Sequence, residues 1–226
     1  MTPQAPSAGS SGSRPRAGWR SGRGEPVTTV LLRHGETALS GGRRFSGRGD
    51  IPLTGAGERQ AAAAAERLAG RTIGAIVTSP LRRARQTADA VAKATGVAVE
   101  VEDGLMELDF GEWEGLTFAE ARERWPGELT AWLEDPSVAP PGGESFDQAA
   151  ARVGPALDRV VAAHPGQVVV VVSHVTPIKT VICRALLAPP AAMFRMHLEL
   201  ASVTEIDWFA DGPVLLRSLN DTAHLR

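Results

Sequence analysis

Several features that define particular protein classes are missing from this chain. Cys183 is the only cysteine among 226 residues, which excludes an intramolecular disulfide framework. The formal net charge is -2, which argues against a basic surface for nucleic acid. No apolar run approaches the roughly 18 residues of a membrane-spanning helix, and the N-terminus lacks the apolar core of a secretory signal. These absences favour a cytoplasmic bacterial protein that binds neither nucleic acid nor membrane.

Residues 1–26 differ in composition from the rest of the chain. They are rich in Ser, Gly, Pro and Arg, and Trp19 is their only aromatic residue. Such a segment cannot bury enough apolar surface to offset its chain entropy, so we expect a disordered N-terminal tail or linker. Its arginines are compatible with an arm for nucleic acid or membrane, but a solvated linker is favoured.

Strand and helix patterns alternate from Val27 onward. Apolar, β-branched runs predict strands over 27–32, 73–78, 97–101 and 167–172. Helical patterns predict helices over 54–68, 81–95, 145–163 and 177–187, with two short helices between 117 and 133. Two or three further strands are expected between 197 and 219, with a turn at Asp211-Gly212. This order predicts an α/β fold of three layers, α/β/α, around a mainly parallel mixed sheet.

Polar residues follow three of these predicted strands. Arg33-His34 follows the first, 79–83 follows the second, and Ser173-His174 follows the strand at 167–172. Ligands of such sheets gather outside the carboxyl ends of the strands. We therefore expect these three segments to meet at one site.

His34 is the candidate nucleophile. A neutral imidazole nitrogen can attack phosphorus and form phosphohistidine. Gly35 lets the backbone turn close to a ligand, and the Gly-rich segment 41–49 offers Ser46 and backbone N–H groups to an anion. An isolated histidine after a strand is more often structural, so the assignment depends on the other motifs.

Two further segments supply charge. The helix start at 79–88 contains three arginines, and a guanidinium offers phosphate a planar fork of donors. Residues 107–115 contain four acidic side chains, one of which can donate a proton to a leaving oxygen. No Asp/His cluster with metal-ligand spacing is apparent, so we expect neither a metal nor another cofactor.

Together these motifs resemble the histidine phosphatase superfamily, which has the phosphoglycerate mutase-like fold. The resemblance runs from about Val27 to Leu219 and implies phosphorylation of His34, with Glu107 as general acid and then general base. It implies a phosphate pocket around His34 that includes Arg33, Arg83 and His174, with Ser40, Ser46, Gly47 and Val175 as further phosphate-binding residues.

Two departures from the family pattern bear on function. Ser40 stands where many relatives have asparagine, which puts one phosphate contact in question. Leu108 and Phe118 stand where phosphoglycerate mutases carry basic residues, so hydrolysis is favoured over transfer. A phosphoglycerate mutase and a catalytically silent binder of phosphorylated ligands are the alternatives.

Within the superfamily, residues 141–145 resemble the α-ribazole-phosphatase-like branch, and 219–225 resemble the phosphatase half of bacterial proteins fused to a ribonuclease H domain. We expect one phosphatase domain over 27–226, with a small helical cap near 117–144. The expected partners are a small phosphorylated metabolite and the product phosphate. A homodimer and a linked ribonuclease H domain in relatives are left open, and the sequence does not identify the substrate.

Overall fold

The computed structural model describes residues 24–226, so the expected N-terminal tail lies almost entirely outside the described residues. The strands are β1 Val27–Arg33, β2 Ala75–Thr78, β3 Val99–Val101, β4 Val168–Ser173, β5 Val203–Trp208 and β6 Val214–Asp221. The helices are α1 Ala38–Gly41, α2 Gly55–Ala69, α3 Arg82–Thr95, α4 Phe118–Arg124, α5 Pro126–Glu134, α6 Phe146–Ala163 and α7 Val175–Ala185.

One six-stranded sheet, in the order β3-β2-β4-β1-β5-β6, forms the middle layer of the described chain. Strands β1 to β4 are mutually parallel, whereas β5 runs antiparallel to both β1 and β6. The predicted three-layer fold with a mainly parallel sheet is confirmed. Two strands form after residue 197, in agreement with the predicted two or three, and residues 197–202 precede them outside the sheet.

The five consecutive valines of β4 pack on both faces of the sheet. Val169 and Val171 pack on one face of the sheet with Leu157 of α6 and Ile182 of α7. The alternate valines pack on the other face, against α2 and α3. A parallel sheet covered on both faces requires continuous apolar runs rather than alternation. Strand β4 is therefore buried along nearly its whole length, up to Ser173 at its carboxyl end.

Capping residues set the start of α2 and the end of α3 at the positions that the sequence indicated. Thr54 accepts a hydrogen bond from the Gly57 N–H at 3.1 Å at the start of α2, and Gly96 ends α3 in the left-handed region at φ 74. Helix α7 begins two residues earlier than predicted. His174 is its N-terminal cap, and Pro177 is tolerated in the first turn because no intrahelical N–H partner is required there.

A separate aromatic core lies beneath α4 and α5. Trp113 and Trp132 meet edge to face with ring centroids 5.5 Å apart, and Phe45 and Phe110 pack against them. Among residues 24–226, no helix combines the length and apolar character needed to cross a bilayer.

Candidate functional site

The carboxyl ends of β1 and β4 bring two histidines together. The strands pair in register with Arg33 opposite Ser173, and the His34 N–H donates to the Ser173 carbonyl at 3.0 Å. The rings of His34 and His174 lie 5.0 Å apart between centroids. Residues separated by 140 positions in the sequence are therefore neighbours because their strands are.

Hydrogen bonding fixes the tautomer of His34. Its Nδ1–H donates to the Gly35 carbonyl at 2.7 Å, which leaves the lone pair on Nε2. The Arg83 Nε–H points at that Nε2 from 3.3 Å. Burial, followed by the positive charges of Arg83 and Arg33, holds the pKa of His34 well below its ordinary value. The ring is therefore neutral, and its Nε2 lone pair accepts a hydrogen bond from Arg83.

Arg83 is fully buried at the start of α3 and is held by backbone oxygens. Nη1 donates to Gly49 at 2.9 Å, and Nη2 donates to Gly47 at 2.7 Å and Ser46 at 3.3 Å. Burial lowers the pKa of its guanidinium, which nevertheless stays charged. Arg82 and Arg85, in the same motif, point to solvent. The structure thus brings only one of the three arginines to His34.

Glu107 is buried beside the two arginines of the site. Its Oε1 accepts the Leu108 N–H at 2.8 Å, and the Thr176 hydroxyl hydrogen-bonds to the same carboxyl group. Burial raises the pKa of Glu107, against the opposing effect of these hydrogen bonds and of the charges on Arg83 and Arg33. A raised pKa favours the protonated carboxylic acid, which can donate a proton.

Three buried polar atoms around His34 have no hydrogen-bond partner within the described chain: Arg33 Nε, Ser46 Oγ and His174 Nδ1. The rest of each group is well fixed, since Arg33 Nη1 donates to the Leu198 carbonyl at 2.5 Å and His174 Nε2 pairs with the Ser79 hydroxyl at 2.7 Å. Buried polar atoms without partners are uncommon in folded proteins. A ligand with several acceptor oxygens would satisfy them.

A cavity of about 270 Å³ opens onto this cluster. Arg33, His34, Ser46 and Glu107 line its polar end. Phe45, Phe110, Phe118 and Val175 form apolar walls, and Ser40, Arg43 and Arg44 also line it. Val175 is the first residue of α7, whose first-turn N–H groups have no partner within the helix. The cavity thus combines polar groups that suit an anion with aromatic walls that suit apolar surface.

The other expected phosphate contacts have different local roles. The Ser40 hydroxyl completes a capping box with Thr37, accepting the Thr37 N–H at 2.8 Å, although Ser40 also borders the cavity. The Gly47 N–H donates to Glu114 Oε2 at 2.7 Å, while its carbonyl holds Arg83. Gly47 is required by close approach, since a Cβ there would lie 2.5 Å from the Leu108 carbonyl.

Sequence reasoning missed three supporting residues. Glu114 holds the Gly47 backbone, Ser79 pairs with His174, and Thr176 bonds to Glu107. Ser79 and Glu114 belong to motifs that the sequence singled out, but nothing in their local pattern indicated these partners. Within residues 24–226, no group of three or more His, Cys, Asp and Glu side chains is arranged to hold a metal ion.

Comparison with known proteins agrees with this arrangement. The pattern of the histidine phosphatase superfamily (branch 1) matches residues 29–222. The bifunctional protein Rv2228c of Mycobacterium tuberculosis is 50% identical over 209 residues, or 92% of this chain and 57% of that protein. Phosphoserine phosphatase 1 of Hydrogenobacter thermophilus is 34% identical over 88% of this chain and 94% of that protein.

A solved structure of a mycobacterial glucosyl-3-phosphoglycerate phosphatase, in a complex with VO3, has a TM-score of 0.80 to this chain. It is 36% identical, with 87% of this chain and 100% of that one covered. The chain spans little more than half the length of the bifunctional relative, whereas the family match covers almost all of the described residues. The predicted resemblance is confirmed, and the chain belongs to branch 1 of the histidine phosphatase superfamily.

Proposed function

We propose that this domain hydrolyses a small phosphomonoester through a phosphohistidine on His34 and releases inorganic phosphate. The observation that carries the proposal is the neutral His34 ring, with its lone pair on Nε2 beside the Arg83 Nε–H and near three unpaired buried polar atoms. Such an arrangement suits a tetrahedral anion held against a nucleophile. Holding the phosphate in line with Nε2 lowers the barrier by making the attack effectively intramolecular.

In the first step the bond from His34 Nε2 to phosphorus forms as the bond to the alcohol oxygen breaks. The Arg83 Nε–H, which lies 3.3 Å from Nε2, transfers its hydrogen bond to a phosphoryl oxygen and frees the lone pair. Arg33 and His174 bond the other oxygens. Donors arranged in this way contribute roughly 2.7–4 kcal/mol each to transition-state stabilisation in other enzymes.

Glu107 supplies the proton in the first step and removes one in the second. The protonated carboxyl donates to the departing alcohol oxygen, and the resulting carboxylate activates a water molecule that attacks the phosphohistidine. Burial favours the protonated acid at the outset, while Leu108 and Thr176 fix the carboxyl group in one orientation. The second displacement returns the neutral imidazole and inorganic phosphate.

The cavity walls support hydrolysis of an ester whose alcohol has apolar surface and an acidic group. Phe118 presents an aromatic ring where a mutase would offer a cation. Leu108 is fully buried in the aromatic core, so of these two positions only Phe118 lines the cavity and can favour hydrolysis over transfer. Arg43 borders the cavity at a left-handed φ of 52 and is exposed, and it can contact an acidic group on the alcohol.

Rapid-quench analysis with a phosphate ester tests the proposal. The expected result is an acid-labile, alkali-stable phosphoenzyme that forms faster than turnover and is absent from His34→Ala. Faster interconversion of phosphoglycerates than phosphate release would favour a mutase. Tight vanadate binding without hydrolysis of any ester would favour a silent binder.

We also propose a domain organisation and a cellular location for this chain. Residues 27–226 would act as one phosphatase domain, with α4 and α5 in the 117–144 cap, since Phe118 at the start of α4 borders the cavity. The relative that is named bifunctional supports a second linked domain in longer proteins, for which ribonuclease H is the proposed activity. A cytoplasmic location is proposed because the one cysteine is buried and unpaired.

A further inference from the structure

The backbone that carries Glu107 is held by one side chain from α6. Arg152 Nη1 donates to the carbonyls of Gly104 at 2.9 Å and Met106 at 2.7 Å, and Nη2 donates to the Glu107 carbonyl at 2.9 Å. A guanidinium has five N–H groups in a rigid plane. Three of these hydrogen bonds end on a segment of four residues, which removes its freedom to shift along or across the site.

Glu144 holds Arg152 in that orientation. Its two carboxylate oxygens accept from Arg152 Nε at 2.7 Å and Nη2 at 2.8 Å, a bidentate pair. The Arg152 and Glu144 side chains are only 21% and 14% exposed, so solvent screens this pair less than a surface ion pair.

Arg48 connects this pair to the phosphate end of the cavity. Its Nε donates to the Glu107 carbonyl at 3.0 Å and its Nη2 to Glu144 Oε2 at 3.3 Å. Arg48 lies between Gly47 and Gly49, whose carbonyls hold Arg83. The loop that fixes the phosphate-side arginine and the segment that carries the acid therefore share one hydrogen-bond network.

We propose that Arg152, held by Glu144, is a positioning residue that places the Glu107 carboxyl for proton transfer to the leaving alcohol. This inference rests on the proposed function, because it assigns Arg152 a role only through Glu107. Displacement of a catalytic group by about 1 Å can reduce rates about 100-fold. The effect should appear only where proton donation limits the rate.

The test compares an alkyl phosphate with nitrophenyl phosphate for Arg152→Met and Arg152→Lys. We expect the rate of phosphoenzyme formation from the alkyl ester, measured by rapid quench, to fall about 10- to 100-fold in both variants, with less than about a 3-fold change for nitrophenyl phosphate. Lys cannot restore activity because its ammonium lacks the planar fork. Arg159→Met is the matched control, because Arg159 is on the same helix and pairs at 2.8 Å with Glu102 just before the segment. It should leave both rates unchanged.

A double-mutant cycle separates positioning from general structural support. In a Glu107→Gln background, Arg152→Met should cause no further loss on the alkyl ester, since the proton donor is already gone. Equal losses on both esters, no loss on either, or a full additional loss in the double variant would each overturn the inference.

If Arg152→Met does not fold, Glu144→Gln provides the same comparison, with an expected selective loss of about 3- to 10-fold from loosening the Arg152 fork. An even loss on both esters, or none, would then overturn the inference. If Glu107→Gln itself shows no selective loss, or His34→Ala stays active, the proposed function fails as well. A selective loss in Glu107→Gln without one in the Arg152 variants rejects only the positioning role.

Discussion

Replacing Glu107 by glutamine isolates the proton that this carboxyl is proposed to donate. The side chain is 2% exposed, and its Oε1 accepts the Leu108 N–H at 2.8 Å. Glutamine has the same shape and keeps a carbonyl oxygen for that hydrogen bond, while its amide group can still bond to the Thr176 hydroxyl. The substitution therefore removes the acidic proton with little change in packing.

General acid catalysis contributes about 100- to 10,000-fold, or roughly 2.7–5.4 kcal/mol of activation free energy. We expect a loss of this size in kcat for Glu107→Gln on an alkyl phosphate, because an alkoxide leaves poorly without a proton. Nitrophenolate leaves unaided, so its first step should slow less than about 10-fold. The rate of the first step is followed as the burst of alcohol release or of phosphoenzyme formation, and phosphate release reports hydrolysis of the phosphoenzyme.

Glu112→Gln is the control, since this exposed glutamate follows in the same acidic segment and its side chain is not in the cavity. Its rates should match those of the unmodified protein. Equal slowing of burst rates on both esters by Glu107→Gln would refute the acid role, because the loss would then be independent of the leaving group.

Further predictions concern pH, metal and close packing. Since burial raises the pKa of Glu107, kcat on an alkyl ester should fall as pH rises through that pKa. This descending limb of the pH–rate profile should be missing in Glu107→Gln. An identical limb in the variant would contradict the assignment. Activity should survive chelator treatment, and loss that is restored by added metal would reject the metal-independent mechanism. Gly47→Ala should lower kcat/KM at least about 10-fold by displacing the loop, because the new Cβ would lie 2.5 Å from the Leu108 carbonyl. Gly70→Ala is the control and should be neutral, because its Cβ would meet nothing within 4 Å. Equal activity of the two variants would contradict the close-approach argument. Arg43→Ala should raise KM for phosphoserine but not for nitrophenyl phosphate, and an equal effect on both would exclude contact with a second acidic group.

The sequence predicted those parts of the fold that depend on local patterns. Apolar runs located β1 and β4, and Thr54 and Gly96 set helix ends through capping, which involves only a few adjacent residues. Boundaries were less accurate at α7, where His174 caps the helix and Pro177 lies in its first turn rather than beginning it.

Site residues that belong to a sequence motif could be predicted. Residues that support the site from a distant part of the chain could not. His34 and His174 follow strands, and the family pattern distinguished Arg83 from its exposed neighbours. The contact from Arg152 to the Glu107 carbonyl joins positions 45 residues apart, and neither local sequence indicates it. Such partners depend on how α6 packs against the backbone of residues 104–107, which only the folded structure shows.

The run of valines in β4 leaves the pairing register of this strand weakly specified by side-chain type. A shift of the strand by one position would replace valine with valine along most of its length, so side-chain identity hardly distinguishes the correct register. The ends of the strand do distinguish it, because Ser173 donates its hydroxyl to the Leu105 carbonyl at 2.7 Å and His174 pairs with Ser79. Residues that form the candidate site thus also specify strand alignment, and substitutions there can cause mispairing of β4 as well as loss of chemistry.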